Sequence, residues 1–176
     1  MNLIAALSCY IDAQGSPHID YVTLYLWALN WSWFDPLKAQ VTWPTVQKKA
    51  LEYLHRHIRD AEQVGKPLTM ENFGIPRDSH SYSPASPVTC RDRCYELMFA
   101  EIYRSARSGS PIADKHFRGW GGEGRASDST TCTWNKGDDY NGDPPQEPQG
   151  RNSAFAQDLT TIKMLQQYAK TMNALK

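Results

Sequence analysis

The alternation of apolar runs constrains this chain more than any other feature. Residues 21–27, Tyr-Val-Thr-Leu-Tyr-Leu-Trp, are dense in β-branched and aromatic side chains and read as a buried strand. From about Thr45 to Val64, the residues Ala50, Leu51, Leu54, Ile58 and Ala61 recur at spacings of three and four, which predicts a helix with one apolar face. Gly65 stands where a left-handed cap ends such a helix. Lys66 to Glu71 reads as a second strand, and the polar segment from Gly74 to Pro87 as a long loop. A second helix runs from about Thr89 to Arg107, turning Cys90, Cys94, Leu97, Met98 and Ile102 inward, and Gly109 and Pro111 end it. Ile112 to Trp120 is a third, weaker strand; Gly121 to Arg151 is long and irregular; a last helix spans roughly Leu159 to Leu175. Strands alternating with helices imply a parallel sheet built by right-handed crossovers. In such folds function sits at the carboxyl ends of the strands, where these long loops begin.

Composition removes several function classes. Lys+Arg and Asp+Glu both count 19, so the chain lacks the basic excess on which nucleic-acid binding rests. There is no apolar run of membrane-spanning length. The opening Met1 to Cys9 is apolar but lacks a basic leader, and it reads as the end of a helix rather than an export signal. Cys9, Cys90, Cys94 and Cys132 show no metal-binding spacing; Cys90 and Cys94, four apart, suit the core face of a helix better than a disulfide. Six Trp and nine Tyr permit a carbohydrate site, because aromatic faces stack on sugar rings, although core packing accounts for most of them. Asp138, Asp139 and Asp143 match no regular calcium spacing and read as solvated turns.

The words at the strand ends are more specific. His18-Ile19-Asp20-Tyr21-Val22-Thr23-Leu24-Tyr25-Leu26-Trp27, followed by Asn30-Trp31-Ser32-Trp33-Phe34, resembles the sixth barrel strand and following loop of β-mannanases in glycoside hydrolase family five. Gly65 through Asp78, with Met70-Glu71-Asn72-Phe73-Gly74 at its centre, resembles their seventh strand. Phe117-Arg118-Gly119-Trp120-Gly121-Gly122-Glu123-Gly124-Arg125 resembles the eighth. The segments Gly137 to Tyr140 and Gly142 to Gly150 resemble the loop after it.

The resemblance implies an α/β chain forming part of a (β/α)8 TIM barrel, strands six to eight with their helices. Residues 1–17 would be the remnant of the preceding helix and 18–176 the strands and final helix. It implies a retaining hydrolase of β-1,4-mannan, which needs no cofactor or metal because two carboxyls and a water supply the chemistry. Family members carry an acid/base Glu after Asn on the fourth strand, and no Asn-Glu pair occurs in this sequence. In the family's register the nucleophile is the Glu directly before the aromatic-Gly pair, which puts Asn72 there and leaves Glu71 as the nearest carboxylate. Neighbouring strand residues point to opposite faces, so Glu71 can serve only if the strand end twists or bulges.

Tyr25 stands where the family has His, and Arg118 where a Trp floors the sugar subsite. Tyr25, Trp27, Trp31, Arg118 and Trp120 are the substrate-binding candidates; Trp27, Trp31 and Trp33 suit subsite walls and a hydrophobic lid equally. The expectation is the carboxyl-terminal part of such a barrel, inactive alone; the alternatives are a non-catalytic carbohydrate-binding or partner-binding remnant, and a split protein completed by a second chain supplying strands one to five. Such relatives are commonly exported, but the destination of this chain is not legible. Three strands cut from a barrel should also show two unpaired edges and an apolar inner face, leaving a marginally stable chain prone to associate.

Overall fold

The computed structural model describes residues 10–139 and 142–175. The first nine residues, with Cys9, and Tyr140 lie outside the described residues; of the expected helix remnant, 10–14 are helical. Eight strands and α-helices follow among the described residues. They are β1 (Val22–Leu26), α1 (Ala39–Val64), β2 (Leu68–Phe73), α2 (Thr89–Arg107), β3 (Ile112–Phe117), β4 (Trp120–Gly122), β5 (Ala154–Phe155) and α3 (Leu159–Asn173). The strands β1, β2 and β3 form one parallel sheet in that order, and β4 and β5 form a separate small parallel pair.

The β-branched and aromatic runs form the strands because every second side chain drops into one core. Val22, Leu24 and Leu26 of β1 meet Leu68, Met70 and Phe73 of β2 beneath Val46, Ala50, Leu54 and Ala61 of α1 and Cys94, Met98 and Ile102 of α2. Phe73 packs edge-on against Tyr95 and Phe99, at 5.1 and 5.5 Å between ring centres. Each fully buried side chain of this size contributes about 1.5–3 kcal/mol. Cys90 is half-buried and Cys94 fully buried; both thiols are free, and burial pushes their pKa values up to about 11 and about 12.

Several boundaries depart from expectation. Helix α1 begins at Ala39, six residues before Thr45, although Pro44 lies within it. Proline is tolerated at a helix start and costly inside; here Pro44 faces solvent while Trp43 and Val46 on either side are buried, so packing holds the first turns. Gly65 caps the helix with φ +69° as expected, its N–H donating to the Glu62 carbonyl at 3.2 Å.

The face of the sheet turned away from the helices corrects the expected apolar surface. It carries Thr23, Tyr25, Thr69, Glu71, Asn72, Asp114 and His116, which are polar or half-polar side chains. Asp143 is also corrected. It is buried, and it accepts the backbone N–H groups of Gly150 (3.0 Å), Asn152 (3.1 Å) and Ser153 (3.2 Å) and the Ser153 hydroxyl (2.5 Å). It organises its loop from inside. No helix among the described residues is long and apolar enough to cross a membrane.

One buried ion cluster ties the connections together. Asp158, at the amino end of α3, accepts two bonds from Arg77 (2.9 and 2.7 Å) and one from Arg91 of α2 (2.6 Å). Both guanidiniums are fully buried and Asp158 is 5 % exposed. Removing one partner of such a group leaves uncompensated buried charge, which costs about 3–5 kcal/mol. Asp158→Asn is therefore expected to lower unfolding stability by about 3–5 kcal/mol, measured by urea denaturation followed by circular dichroism.

Candidate functional site

The polar sheet face ends in a groove at the carboxyl ends of β1, β2 and β3. A β-bulge in β2 shapes it. Leu24 pairs with Met70 and Tyr25 with Asn72, so β2 advances two residues while β1 advances one. On the other side Met70 pairs with Lys115 and Phe73 with Phe117, so β2 again holds one residue more than its neighbour. An extra residue of this kind breaks strict alternation and re-aims side chains. Met70 and Phe73, three apart, are both fully buried against the helices, while Glu71 and Asn72 are both half-exposed. The strand end does bulge, and both residues of the Glu71-Asn72 pair leave the core.

The Tyr25 hydroxyl lies beside the Glu71 carboxylate, within reach of a hydrogen bond to it. That bond, reinforced by the carboxylate's negative charge, holds the Tyr25 pKa above the ordinary tyrosine range. Tyr25 remains 49 % exposed, so the pair stands at the surface of the groove.

Arg118 follows β3 and is placed by its backbone, whose N–H donates to the Phe73 carbonyl at 2.8 Å. A Cβ on Gly74 would lie 3.3 Å from the Arg118 Cβ, so a side chain there would push the two strand ends a few tenths of an ångström apart. The Arg118 guanidinium lies over the Trp27 indole, 5.0 Å from the ring centre. Together with Asn30, Glu147, Arg151 and Asn152 they line a cavity of about 240 Å³. The remaining aromatic candidates lie elsewhere. Trp31 packs against Trp33 (4.8 Å) and Tyr53 of α1 (5.1 Å), half-buried beside the core. Trp120 is 48 % exposed on β4.

The structure brings together Tyr25 with Glu71 and Trp27 with Arg118, all four of them candidates from the sequence, whereas sequence reasoning misses Asn30, Glu147, Arg151 and Asn152. Nothing in their type or spacing marks them; only the folding of the long loop brings the last three to the groove. Among the described residues no group of three or more His, Cys, Asp or Glu side chains is arranged to hold a metal. The Tyr25–Glu71 bond can be read directly. In an ultraviolet pH titration, the difference between the protein and Tyr25→Phe is expected to report a tyrosine ionising above the ordinary range. Glu71→Gln is expected to move that transition back down; an unchanged transition would remove the bond.

Comparison with known proteins matches this geometry to one family. The family model described as GH family 5 beta-mannosidase-like covers residues 4–176. Mannan endo-1,4-beta-mannosidase 4 of Solanum lycopersicum is 28% identical over 118 residues, covering 67% of this chain and 27% of that protein. Mannan endo-1,4-beta-mannosidase 2 of Arabidopsis thaliana is 27% identical over 131 residues, covering 72% of this chain and 28% of that protein. The chain thus spans about a quarter of the length of these curated relatives. Among solved structures, the glycoside hydrolase family 5 mannosidase from Rhizomucor miehei superimposes with a TM-score of 0.84 at 29% identity, over 94% of this chain and 40% of that one. A variant of that enzyme was solved with mannosyl-fructose. The endo-beta-1,4-mannanase from Thermotoga petrophila gives a TM-score of 0.59 at 19% identity, a likeness of fold alone. With the family model matching nearly end to end, this chain belongs to the β-mannosidase-like proteins of glycoside hydrolase family 5.

Proposed function

We propose that these residues form the nucleophile-bearing wall of a retaining β-1,4-mannan hydrolase, with β1, β2 and β3 as strands six, seven and eight of a (β/α)8 barrel. On this reading 18–176 is the barrel portion and 1–17 the end of the helix before it. The observation that carries the reading is the bulge in β2, which turns Glu71 out of the core and onto the face where Tyr25 can bond it. A carboxylate so held can attack the anomeric carbon of a bound mannoside, forming the covalent glycosyl ester of a retaining reaction. Trp27 and Arg118 shape the approach of the polysaccharide, and Tyr25 orients the attacking group.

A retaining enzyme also needs a protonated carboxyl about 5–5.5 Å away to assist the leaving oxygen. The family's Asn-Glu pair does not occur in the sequence. The acid therefore comes from outside these 176 residues, from strands one to five on another polypeptide or on further chain. By themselves these residues bind mannan without cleaving it at a useful rate.

Asn72 and Arg118 favour a second reading, a carbohydrate-binding remnant with no nucleophile. An amide stands in the family's nucleophile register, and a guanidinium stands where an aromatic floor belongs. A leaving group that needs no proton separates the two. With 2-deoxy-2-fluoro-β-mannosyl fluoride, a Glu71 oxygen bonds to the anomeric carbon while the C–F bond breaks and fluoride departs with the electron pair. The expected result is a single added sugar on the peptide containing Glu71, lost in Glu71→Gln, together with retarded migration in mannan gels and no release of reducing sugar. Retardation without labelling would favour the binding-only reading. Reducing sugar released from mannan by the purified chain would overturn the need for an outside acid.

A further inference from the structure

The cavity beside Trp27 carries charge that a neutral hexose would leave unmatched. Arg118 and Arg151 both line it, and among the described residues the only carboxylate in its wall is Glu147. Neither guanidinium forms an ion pair with a carboxylate among the described residues. Elsewhere in the molecule Arg77 and Arg91 share Asp158 and Arg104 pairs with Glu101, while Arg56, Arg59 and Arg107, outside the cavity, likewise form no ion pair among the described residues. Arg118 instead lies over the indole of Trp27. That contact holds the guanidinium and covers the aromatic face on which a sugar ring would otherwise stack. The planar fork of an arginine matches a carboxylate in two parallel bonds, a geometry that lysine cannot supply.

The formal charge of the wall sets the size of the complementary anion. Two arginines against one glutamate leave one net positive charge. A monoanionic carboxylate balances it, whereas a dianionic phosphate ester would leave an excess of negative charge beside Glu147. Asn30 and Asn152 add amide donors and acceptors suited to ring hydroxyls.

We propose that this subsite takes an acidic sugar, a β-linked residue bearing a carboxylate, in place of a neutral mannose. The inference rests on reading the groove as sugar-binding, and it names what the Arg118 position selects. The test is titration calorimetry of the 176-residue protein at low ionic strength. Three probes are compared: a β-1,4-linked mannuronate trisaccharide, neutral β-1,4-mannotriose, and inorganic phosphate. Charge-assisted hydrogen bonds predict that mannuronate binds about tenfold or more tighter than mannotriose. Arg118→Gln and Arg151→Gln, each checked by circular dichroism for an unchanged fold, are expected to bring the two sugars to parity. Arg118→Lys is expected to recover only part of the preference. Mannotriose binding as tightly as mannuronate would overturn the acidic specificity and leave the sugar groove standing. Failure of both sugars to bind would overturn the groove as well. Phosphate binding as tightly as the mannuronate trisaccharide would overturn the acidic-sugar site in favour of a free-anion site.

Discussion

A single carboxylate holds the architecture around the groove. Asp158 sits between Arg77, which follows β2, and Arg91 near the start of α2, and it also accepts the backbone N–H of Phe155 at 2.9 Å. Arg91 reaches on to the Ser153 carbonyl (2.6 Å) and Arg77 to that of Ser86 (2.9 Å). Three connections that are remote in sequence therefore meet at one desolvated cluster. Desolvation is costly for guanidiniums, and the Nε atoms of both arginines are buried without a partner. Their terminal nitrogens are satisfied, and the Phe155 ring stacks 5.3 Å from Arg77 and 4.3 Å from Arg125. The cluster fixes the base of the loops that carry the groove.

How much of this was legible depends on whether the signal was periodic. The run at 21–27 becomes β1 at Val22–Leu26, and the apolar spacing of the helices survives nearly intact. The start of α1 was hidden because proline biases the reading toward a helix boundary, while the buried Trp43 and Val46 that override it act through tertiary contact. Second-strand limits shifted from 66–71 to Leu68–Phe73 for a similar reason, since the aromatic contacts of Phe73 extend the strand past its polar pair. Strands of two or three residues, as in β4 and β5, carry no period to detect. Arg77, Arg91 and Asp158 lie in three separate segments, and no local pattern links them.

The free sheet face shows the limit of reasoning from one strand at a time. Barrel logic suggested an apolar interior, but Thr23, Tyr25, Thr69, Glu71 and Asn72 make it polar. Alternation in a strand says which side chains share a face, not what covers that face. Similarly, the parity of neighbouring residues separates Glu71 from Asn72, and the bulge abolishes that parity. The resemblance points to the stretch from Met70 to Gly74; the backbone irregularity that leaves Glu71 half-exposed has no trace in residue type.

The crossing of Gly119 and Gly142 has an evolutionary consequence. A Cβ on Gly119 would come within 2.8 Å of the Gly142 carbonyl oxygen, and one on Gly142 within 2.8 Å of the Gly119 backbone. Two main chains touch there with no room for a methyl group. Just beyond, the Ala154 N–H closes onto the Gly119 carbonyl at 3.0 Å. The excursion between these points is thus clasped at its neck, like a purse drawn shut. Length and composition inside such a clasp can drift between lineages without disturbing the sheet, so recognition at this rim is free to diversify while the scaffold beneath stays the same.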